Sequence, residues 1–247
     1  DTAMAMVNSV PPSALMPSSA GTNSQSVAEH MLASLLSLYR KIPQCRDQQR
    51  DHRWIDVGDM KSLAGATVLV AGAGHVGSAF AQLCKALGAA RTIGLKRTVG
   101  GPVPGFDEVL PISRLDEALP EAHVLILSLP STPETVNLLS RDRIALLPRD
   151  ACVINVGRGT ALDQDALAEA LNEGRLAGAA LDVMVPEPLP EDHPLWQTRN
   201  LILTPHISGS MSLGYTCDLN VDLFCQDLAN YAAGRPLQSL VDRSRGY

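Results

Sequence analysis

The sequence predicts an α/β fold, a doubly wound parallel sheet with helices on both faces. Three observations predict it. From Ala64 onward, short apolar runs alternate with helical patterns, and such alternation buries a parallel sheet under helices. The first apolar run flows directly into a glycine-rich turn and then a helix. The chain is 45% apolar and 19% charged, the balance of a globular chain with a sizeable core.

The elements follow in order. Residues 1–22 are rich in Ser, Pro, Met and Ala without a clear period, so irregular chain is expected. Ser26-Val27-Ala28-Glu29 reads as a capping box. Behind it, Val27, Met31, Leu32, Leu35, Leu36 and Tyr39 recur at helical spacing, and the helix should end near Ile42-Pro43. Residues 44–62 are polar and read as a connector anchored by Trp54. Strands are expected at 67–71, 92–95, 124–128, 152–156, 177–181 and 201–203. Helices are expected near 75–87, 113–119, 140–147 and 163–173. The last of these has Asp163 as N-cap and Gly174 after its final turn. A closing helix is expected over about 211–233, then a polar tail.

Composition excludes several classes. Twenty Lys and Arg against 26 Asp and Glu leave a formal charge of −6, which argues against nucleic-acid or anionic-membrane partners. No run of 18 apolar residues is present, so no membrane span is expected. Asp1-Thr2-Ala3-Met4 carries no basic segment followed by an apolar stretch, so it does not read as a signal peptide. The five cysteines form no C-x-x-C pair. They read as reduced thiols of a cytoplasmic protein, with Cys84, Cys152 and Cys225 as small core residues. No metal site is expected.

The turn after the first strand is Gly72-Ala73-Gly74-His75-Val76-Gly77, a G-x-G-x-x-G pattern in its strand–turn–helix context. Gly72 permits the tight turn, Gly74 lets the backbone approach a pyrophosphate, and Gly77 lets the helix pack on the strand. A dinucleotide is therefore the expected ligand. The end of the second strand reads Gly94-Leu95-Lys96-Arg97-Thr98, without the acid that usually binds the ribose 2′-OH of NAD. Two cations and a hydroxyl suit a 2′-phosphate, which favours NADP over NAD. The alternative is a solvated basic turn beside a pocket that takes NAD.

Three polar residues lie just beyond strand ends, where ligands bind in open α/β sheets. Arg158 lies in Asn155-Val156-Gly157-Arg158-Gly159, Glu187 in Val185-Pro186-Glu187-Pro188, and His206 in Thr204-Pro205-His206. Singly, each could be an ordinary loop residue. Together they suit one chemistry. A guanidinium holds a carboxylate bidentately, a His acts as general acid or base, and a carboxylate beside it orients the ring.

These segments together resemble the D-isomer-specific 2-hydroxyacid dehydrogenases. The resemblance also rests on Ser26-Val27-Ala28-Glu29-His30, Ser128–Thr135, Gly178–Val183, His193-Pro194-Leu195 and the C-terminal Val241–Tyr247. It implies a Rossmann domain over 63–207 and hydride transfer between NAD(P)H and C2 of a small 2-keto or 2-hydroxy acid. It implies that Arg158 binds the substrate carboxylate, that His206 passes a proton to the carbonyl oxygen, and that Glu187 pairs with His206. Asp182 would hold the nicotinamide carboxamide, with Leu129 and Pro130 along the cofactor. His75, Val76, Thr135, Val156, Gly157, His206 and Gly209 would complete the cofactor contacts beside the glycines, Lys96 and Arg97.

Departures bear on this. Lys96 replaces the usual acid, His123 stands where the family often has Asp, and Met184 replaces a frequent aromatic. His123 reads as structural. Family members begin with a substrate-binding lobe, of which residues 1–62 would be the remnant, dimer helix and connector, and 208–247 the return. The second lobe is thus expected to be incomplete, in a fragment, a processed chain or a naturally shortened one. The helix over 26–42 resembles the family's dimerisation segment, so a homodimer is expected; the alternative is a helix buried in its own chain. A non-catalytic NAD(P)-binding or cofactor-sensing module is the competing function. Substrate choice would involve Ser210, Met211 and Tyr215.

Overall fold

The computed structural model describes residues 9–11, 14–210, 213–238 and 240–241. Met211 and the tail beyond Val241, both singled out in the sequence, lie outside them.

Two helices open the described chain, α1 (Ser24–Tyr39) and α2 (Ile42–Arg50). The sheet then alternates with helices in the order β1 (Thr67–Ala71), α3 (His75–Ala86), β2 (Arg91–Lys96), β3 (Glu108–Pro111), α4 (Leu115–Ala118) and β4 (Val124–Leu127). It continues with α5 (Arg141–Leu146), β5 (Cys152–Asn155), α6 (Gln164–Asn172), β6 (Gly178–Leu181) and β7 (Leu201–Leu203), and ends in α7 (Gly214–Ala232).

The seven strands run in the order β3-β2-β1-β4-β5-β6-β7, every neighbouring pair parallel. The chain leaves β1 toward one edge and returns through β4 to the other side of β1. That reversal is where a doubly wound sheet opens a ligand crevice. The central strands are buried on both faces, which is why Thr67–Ala71, Val124–Leu127 and Cys152–Asn155 read as near-continuous apolar runs. Val27, Met31, Leu35 and Tyr39 of α1, with Phe80 and Cys84 of α3, cover one face. Leu115, Ile144, Leu167 and Leu171 cover the other.

All six expected strands form, and a seventh joins them. Glu108–Pro111 pairs with β2 at the sheet edge and is only half-buried. The helix expected at 113–119 is instead three short pieces, 3₁₀ over Ile112–Arg114, α4, and 3₁₀ over Leu119–Glu121. Pro120 cannot donate to a continuing helix.

Four further expectations are corrected. The connector contains a helix, α2, which starts at Lys41 in the left-handed region with Pro43 in its first turn and buries none of its side chains. Trp54 anchors nothing, being fully exposed at 102%. Cys225 is exposed, whereas Cys84 and Cys152 are buried. The capping box does not form: Asn23 is the N-cap, and the Ser26 hydroxyl donates to the Ser208 carbonyl at 2.9 Å. By contrast, Asp163 caps α6 by accepting from the Ala166 N–H at 2.9 Å, and Gly174 lies at φ +68°. His123 is structural as expected: its Nδ1 accepts from the Thr67 N–H at 3.1 Å.

The two ends of the described chain meet. Pro17 bridges Leu240 in antiparallel sense, and the Val241 N–H donates to the Met16 carbonyl at 2.9 Å. Among the described residues no helix is long and apolar enough to cross a membrane.

Candidate active site

The carboxyl ends of β1, β2, β4, β5, β6 and β7 carry the sequence-predicted residues on one rim of the sheet. At β1 the glycine turn is sterically determined. Gly72 lies at φ +113°, and a Cβ there would sit 2.5 Å from the Ser128 carbonyl oxygen. A Cβ on Gly77 would sit 2.3 Å from the Gly72 oxygen and 2.9 Å from Val70 Cγ1, so α3 packs tightly over β1. Gly74 differs: a Cβ there meets nothing within 4 Å. The turn is closed behind Gly72 and Gly77 and open in front of Gly74, at the N-terminus of the twelve-residue α3. The N–H groups of that first turn, at His75, Val76 and Gly77, and the helix dipole favour an anion there. The residues present thus fit a dinucleotide pyrophosphate. His75 is exposed, with its ring beside Gly21.

At the end of β2, Lys96 is half-buried and Arg97 exposed. Across the switch point lies the loop after β4. There the Thr135 hydroxyl donates to the Pro130 carbonyl at 2.7 Å and accepts from the Thr132 N–H at 2.8 Å. This shapes Leu129–Thr135. The Glu134 carboxyl is held below the usual range by the Thr132 hydroxyl, its own backbone and, least of these, the Arg97 charge.

At β5, fully buried Asn155 braces the turn that presents Arg158. Its Oδ1 accepts from the Gly157 N–H at 3.0 Å, and its Nδ2 donates to the Arg158 carbonyl at 2.9 Å. Cβ atoms on Gly157 and Gly159 would collide with the Leu129 and Met184 backbones, so the β4, β5 and β6 loops abut. Arg158 itself is exposed, its Nη1 donating to the Gly157 carbonyl at 2.7 Å.

At β6 and β7 the structure brings Glu187 and His206 together. His206 Nδ1 lies 2.8 Å from Glu187 Oε2, with the two side chains 50% and 36% exposed. Glu187 Oε1 accepts from the Met184 N–H at 2.9 Å. With Nδ1 engaged by a carboxylate, Nε2 is the nitrogen left for proton transfer. His206 adopts the left-handed region at φ +55°, a conformation that a non-glycine residue holds only when its surroundings fix it.

Asp182 supplies much of that fixation. Its carboxylate is buried and accepts from Thr204 Oγ1 at 2.6 Å, the Ile207 N–H at 2.9 Å and the Ser208 N–H at 2.9 Å. Its carbonyl accepts from the His206 N–H at 2.9 Å. Burial by itself would raise the Asp182 pKa, but these donors, Ser208 and Thr204 foremost, outweigh it and hold the carboxyl below its ordinary value. Gly209 follows at once, against Asn23 of the α1 cap. A cavity of about 550 Å³ lies beside the pair, lined by Met184, Leu189, Trp196, Leu203 and Pro205 along with Glu187 and His206.

The pattern of the D-isomer-specific 2-hydroxyacid dehydrogenase NAD-binding domain matches residues 32–208. The chain belongs to this family. The chain is 32% identical over 228 residues to the D-3-phosphoglycerate dehydrogenase of Archaeoglobus fulgidus, covering 90% of this chain and 42% of that one. It is 36% identical over 194 residues to that of Haemophilus influenzae, covering 76% and 46%. It thus spans about half the length of these curated relatives. Among solved structures, a family member from Xanthobacter autotrophicus Py2 in complex with NADPH and MES matches at 33% identity and TM-score 0.82, over 98% of both chains. The NADPH-dependent glyoxylate/hydroxypyruvate reductase of Sinorhizobium meliloti, in complex with NADP and sulfate, matches at 28% and 0.79, over 92% of this chain and 71% of that one.

Sequence reasoning assigned no role to four residues that organise the site: Asn155, Thr204, Gln164 and His30. Gln164 clamps Val185, its Nε2 donating to the carbonyl at 2.7 Å and its Oε1 accepting from the N–H at 2.8 Å. His30, Asn155 and Thr204 lie inside segments that carry the family resemblance, whereas Gln164 carried no local signal.

Proposed function

We propose that this chain is the cofactor-binding and acid–base part of an NAD(P)-dependent 2-hydroxyacid dehydrogenase that works mainly as a 2-keto-acid reductase. The observation that carries the reading is the 2.8 Å His206–Glu187 pair on the rim that also bears the Gly72–Gly77 cradle. Bound NAD(P)H would supply the hydride to C2 of the keto acid. His206 donates a proton from Nε2 to the carbonyl oxygen, while Glu187 on Nδ1 orients the ring. Arg158 holds the substrate carboxylate, for which its planar fork is suited. Leu129 and Pro130 would lie along the cofactor, with Thr135, Val156 and Gly157 beside it, and Asp182 would hold the nicotinamide carboxamide.

Lys96 and Arg97 favour NADP over NAD, since no acid at the end of β2 would repel a 2′-phosphate. Residues 63–207 form the dinucleotide domain, 1–62 comprise a remnant of the substrate lobe, the interdomain helix α1 packed on the sheet and a connector, and 208–247 return to the substrate lobe, a division supported by the Met16–Val241 contact. A homodimer is supported less by α1, whose apolar stripe is buried in its own chain, than by exposed Ile42, Trp54, Ile55 and Met60 after it. Sedimentation as a monomer would oppose it. Five free cysteines accord with a cytoplasmic location.

The test is NADPH and NADH oxidation with glyoxylate, hydroxypyruvate and bulkier keto acids. His206→Ala is expected to lower turnover by about 10²–10⁴-fold, the usual worth of a general acid–base. Arg97→Ala is expected to weaken NADPH binding while leaving NADH binding alone. Cofactor binding without turnover on any keto acid would favour the sensing module instead.

A further inference from the structure

Helix α1 touches the loop of the proposed acid–base histidine at three places. Gly209 abuts Asn23, with a Cβ there predicted 2.9 Å from Asn23 Nδ2. Ser26 Oγ donates to the Ser208 carbonyl at 2.9 Å. His30, one turn further along, places Nε2 3.1 Å from Thr204 Oγ1 and 3.8 Å from Asp182 Oδ1. The direction of these bonds can be deduced. Ionised Asp182 only accepts, so Thr204 Oγ1 spends its single proton on Asp182 Oδ1 at 2.6 Å. The Thr204 oxygen is then an acceptor toward His30, and His30 must carry its proton on Nε2. A directed chain results, from His30 Nε2–H to Thr204 Oγ1–H to the Asp182 carboxylate. The same carboxylate receives the Ile207 and Ser208 N–H groups that flank His206.

We propose that His30 is a positioning residue for His206, acting through Thr204 and Asp182 to lock the left-handed turn at position 206. The proposal rests on the dehydrogenase reading above for its kinetic consequence. His30 is remote in sequence, 174 residues from Thr204, and its side chain is 20% exposed, so its donor and the space it fills must be separated by substitution. What it supplies is one donor. A residue that offers an N–H at the same reach should replace it, and one that fills the space without a donor should not.

The experiment compares His30→Ala, His30→Gln and His30→Phe in the full chain with two readouts, steady-state kinetics with NADPH and glyoxylate, and amide hydrogen exchange at Ile207 and Ser208. His30→Ala is expected to lower kcat by about 3- to 10-fold, the worth of one hydrogen bond, with KM for glyoxylate little changed. The Ile207 and Ser208 amides should exchange faster by a similar factor, because they open when the turn opens. His30→Gln should recover most of both losses, and His30→Phe neither. Wild-type exchange rates in His30→Ala, or a His30→Phe variant as good as His30→Gln, would overturn the proposal. Exchange is read without turnover, so a protein inactive on every keto acid would sink the functional reading and still leave this one to be judged.

Discussion

Replacing Gly72 and Gly74 by alanine, one at a time, separates fold from ligand within three residues. At Gly72 the new Cβ falls 2.5 Å from the Ser128 carbonyl oxygen and 2.9 Å from its carbon, and the residue sits at φ +113°. The Ser128 hydroxyl at 2.7 Å could swing aside, but the two backbone atoms cannot. A positive φ costs an L-residue about 1–2 kcal/mol, and overpacking adds about 1–3 kcal/mol. The entropy that alanine removes from the unfolded chain returns only about 0.4–1 kcal/mol. A net loss near 3 kcal/mol follows, which for a chain of this size lowers Tm by about 6–12 °C. Gly74 lies at φ −94° and ψ −158°, open to any L-residue, and its Cβ meets nothing. Gly74→Ala should therefore melt within about 2 °C of wild type. The methyl instead occupies the space through which the turn would approach a pyrophosphate. Loss of one charge-assisted hydrogen bond there, about 1.5–3 kcal/mol, weakens cofactor binding by about 10- to 150-fold. Thermal unfolding without cofactor and fluorescence titration with NADPH read the two effects separately. Equal melting of the two variants, or wild-type NADPH affinity in Gly74→Ala, would refute the reasoning.

Other predictions rest on the opposite end of the rim. Glu187→Gln should lower kcat by about 10-fold, since a half-exposed charged hydrogen bond is worth the lower part of its usual range; an unchanged rate would remove Glu187 from the mechanism. Asp182→Ala leaves the Ile207 and Ser208 N–H groups without acceptors, at about 1–3 kcal/mol each, to be read by denaturant unfolding. The Asp182 carboxyl is lowered in the fold, so its stabilisation is complete above the ordinary Asp value near 4 and is lost as pH falls through the depressed one. Asp182→Asn should accordingly flatten the stability–pH curve below about pH 4, and an unaltered curve would deny it that role. Burial pushes the Cys84 and Cys152 thiols up to about 12. A thiol reagent at pH 8 should label exposed Cys45 and Cys225 quickly and these two only on unfolding.

What could be read from sequence was local. Thr67–Ala71 and Val124–Leu127 declare themselves because a strand buried on both faces has no polar face to confuse the pattern. The glycine turn declares itself because its three roles fall within six residues. Glu108–Pro111 was missed for the converse reason: it is four residues long, half-buried, on the edge, and ends in proline. Helix α2 was missed because it buries nothing, so no apolar stripe marks it. The capping box failed because Ser26 found a better partner 182 residues away. A hydroxyl that can cap its own helix can equally bond a distant carbonyl, and only the tertiary fold decides between them. The same limit hid His30, Thr204 and Gln164, whose partners are set by how β6, β7 and α1 pack.

The two ends of the rim are built by different means, and they should fail differently. The cradle is made of backbone: Gly72, Gly77, Gly157 and Gly159 are held by atoms 2.3–2.6 Å from where a Cβ would be. Nothing there can relax by a rotamer change, so a substitution either fits or forces strands and helices apart. The proposed acid–base end is made of side chains. On that proposal His206 and Glu187 must be open to substrate, and at 50% and 36% exposure they bury too little to hold themselves in place. Their geometry is therefore imposed from beneath by buried acceptors, Asp182 at 1% and Asn155 at 0%, which collect the N–H groups of the turns above. Each such bond contributes only about 1 kcal/mol, and several act in parallel on one turn. Removing one donor or acceptor should cost chemistry by small factors while the chain stays folded, and pairs of removals within the Asp182 network should be non-additive because they share the same turn.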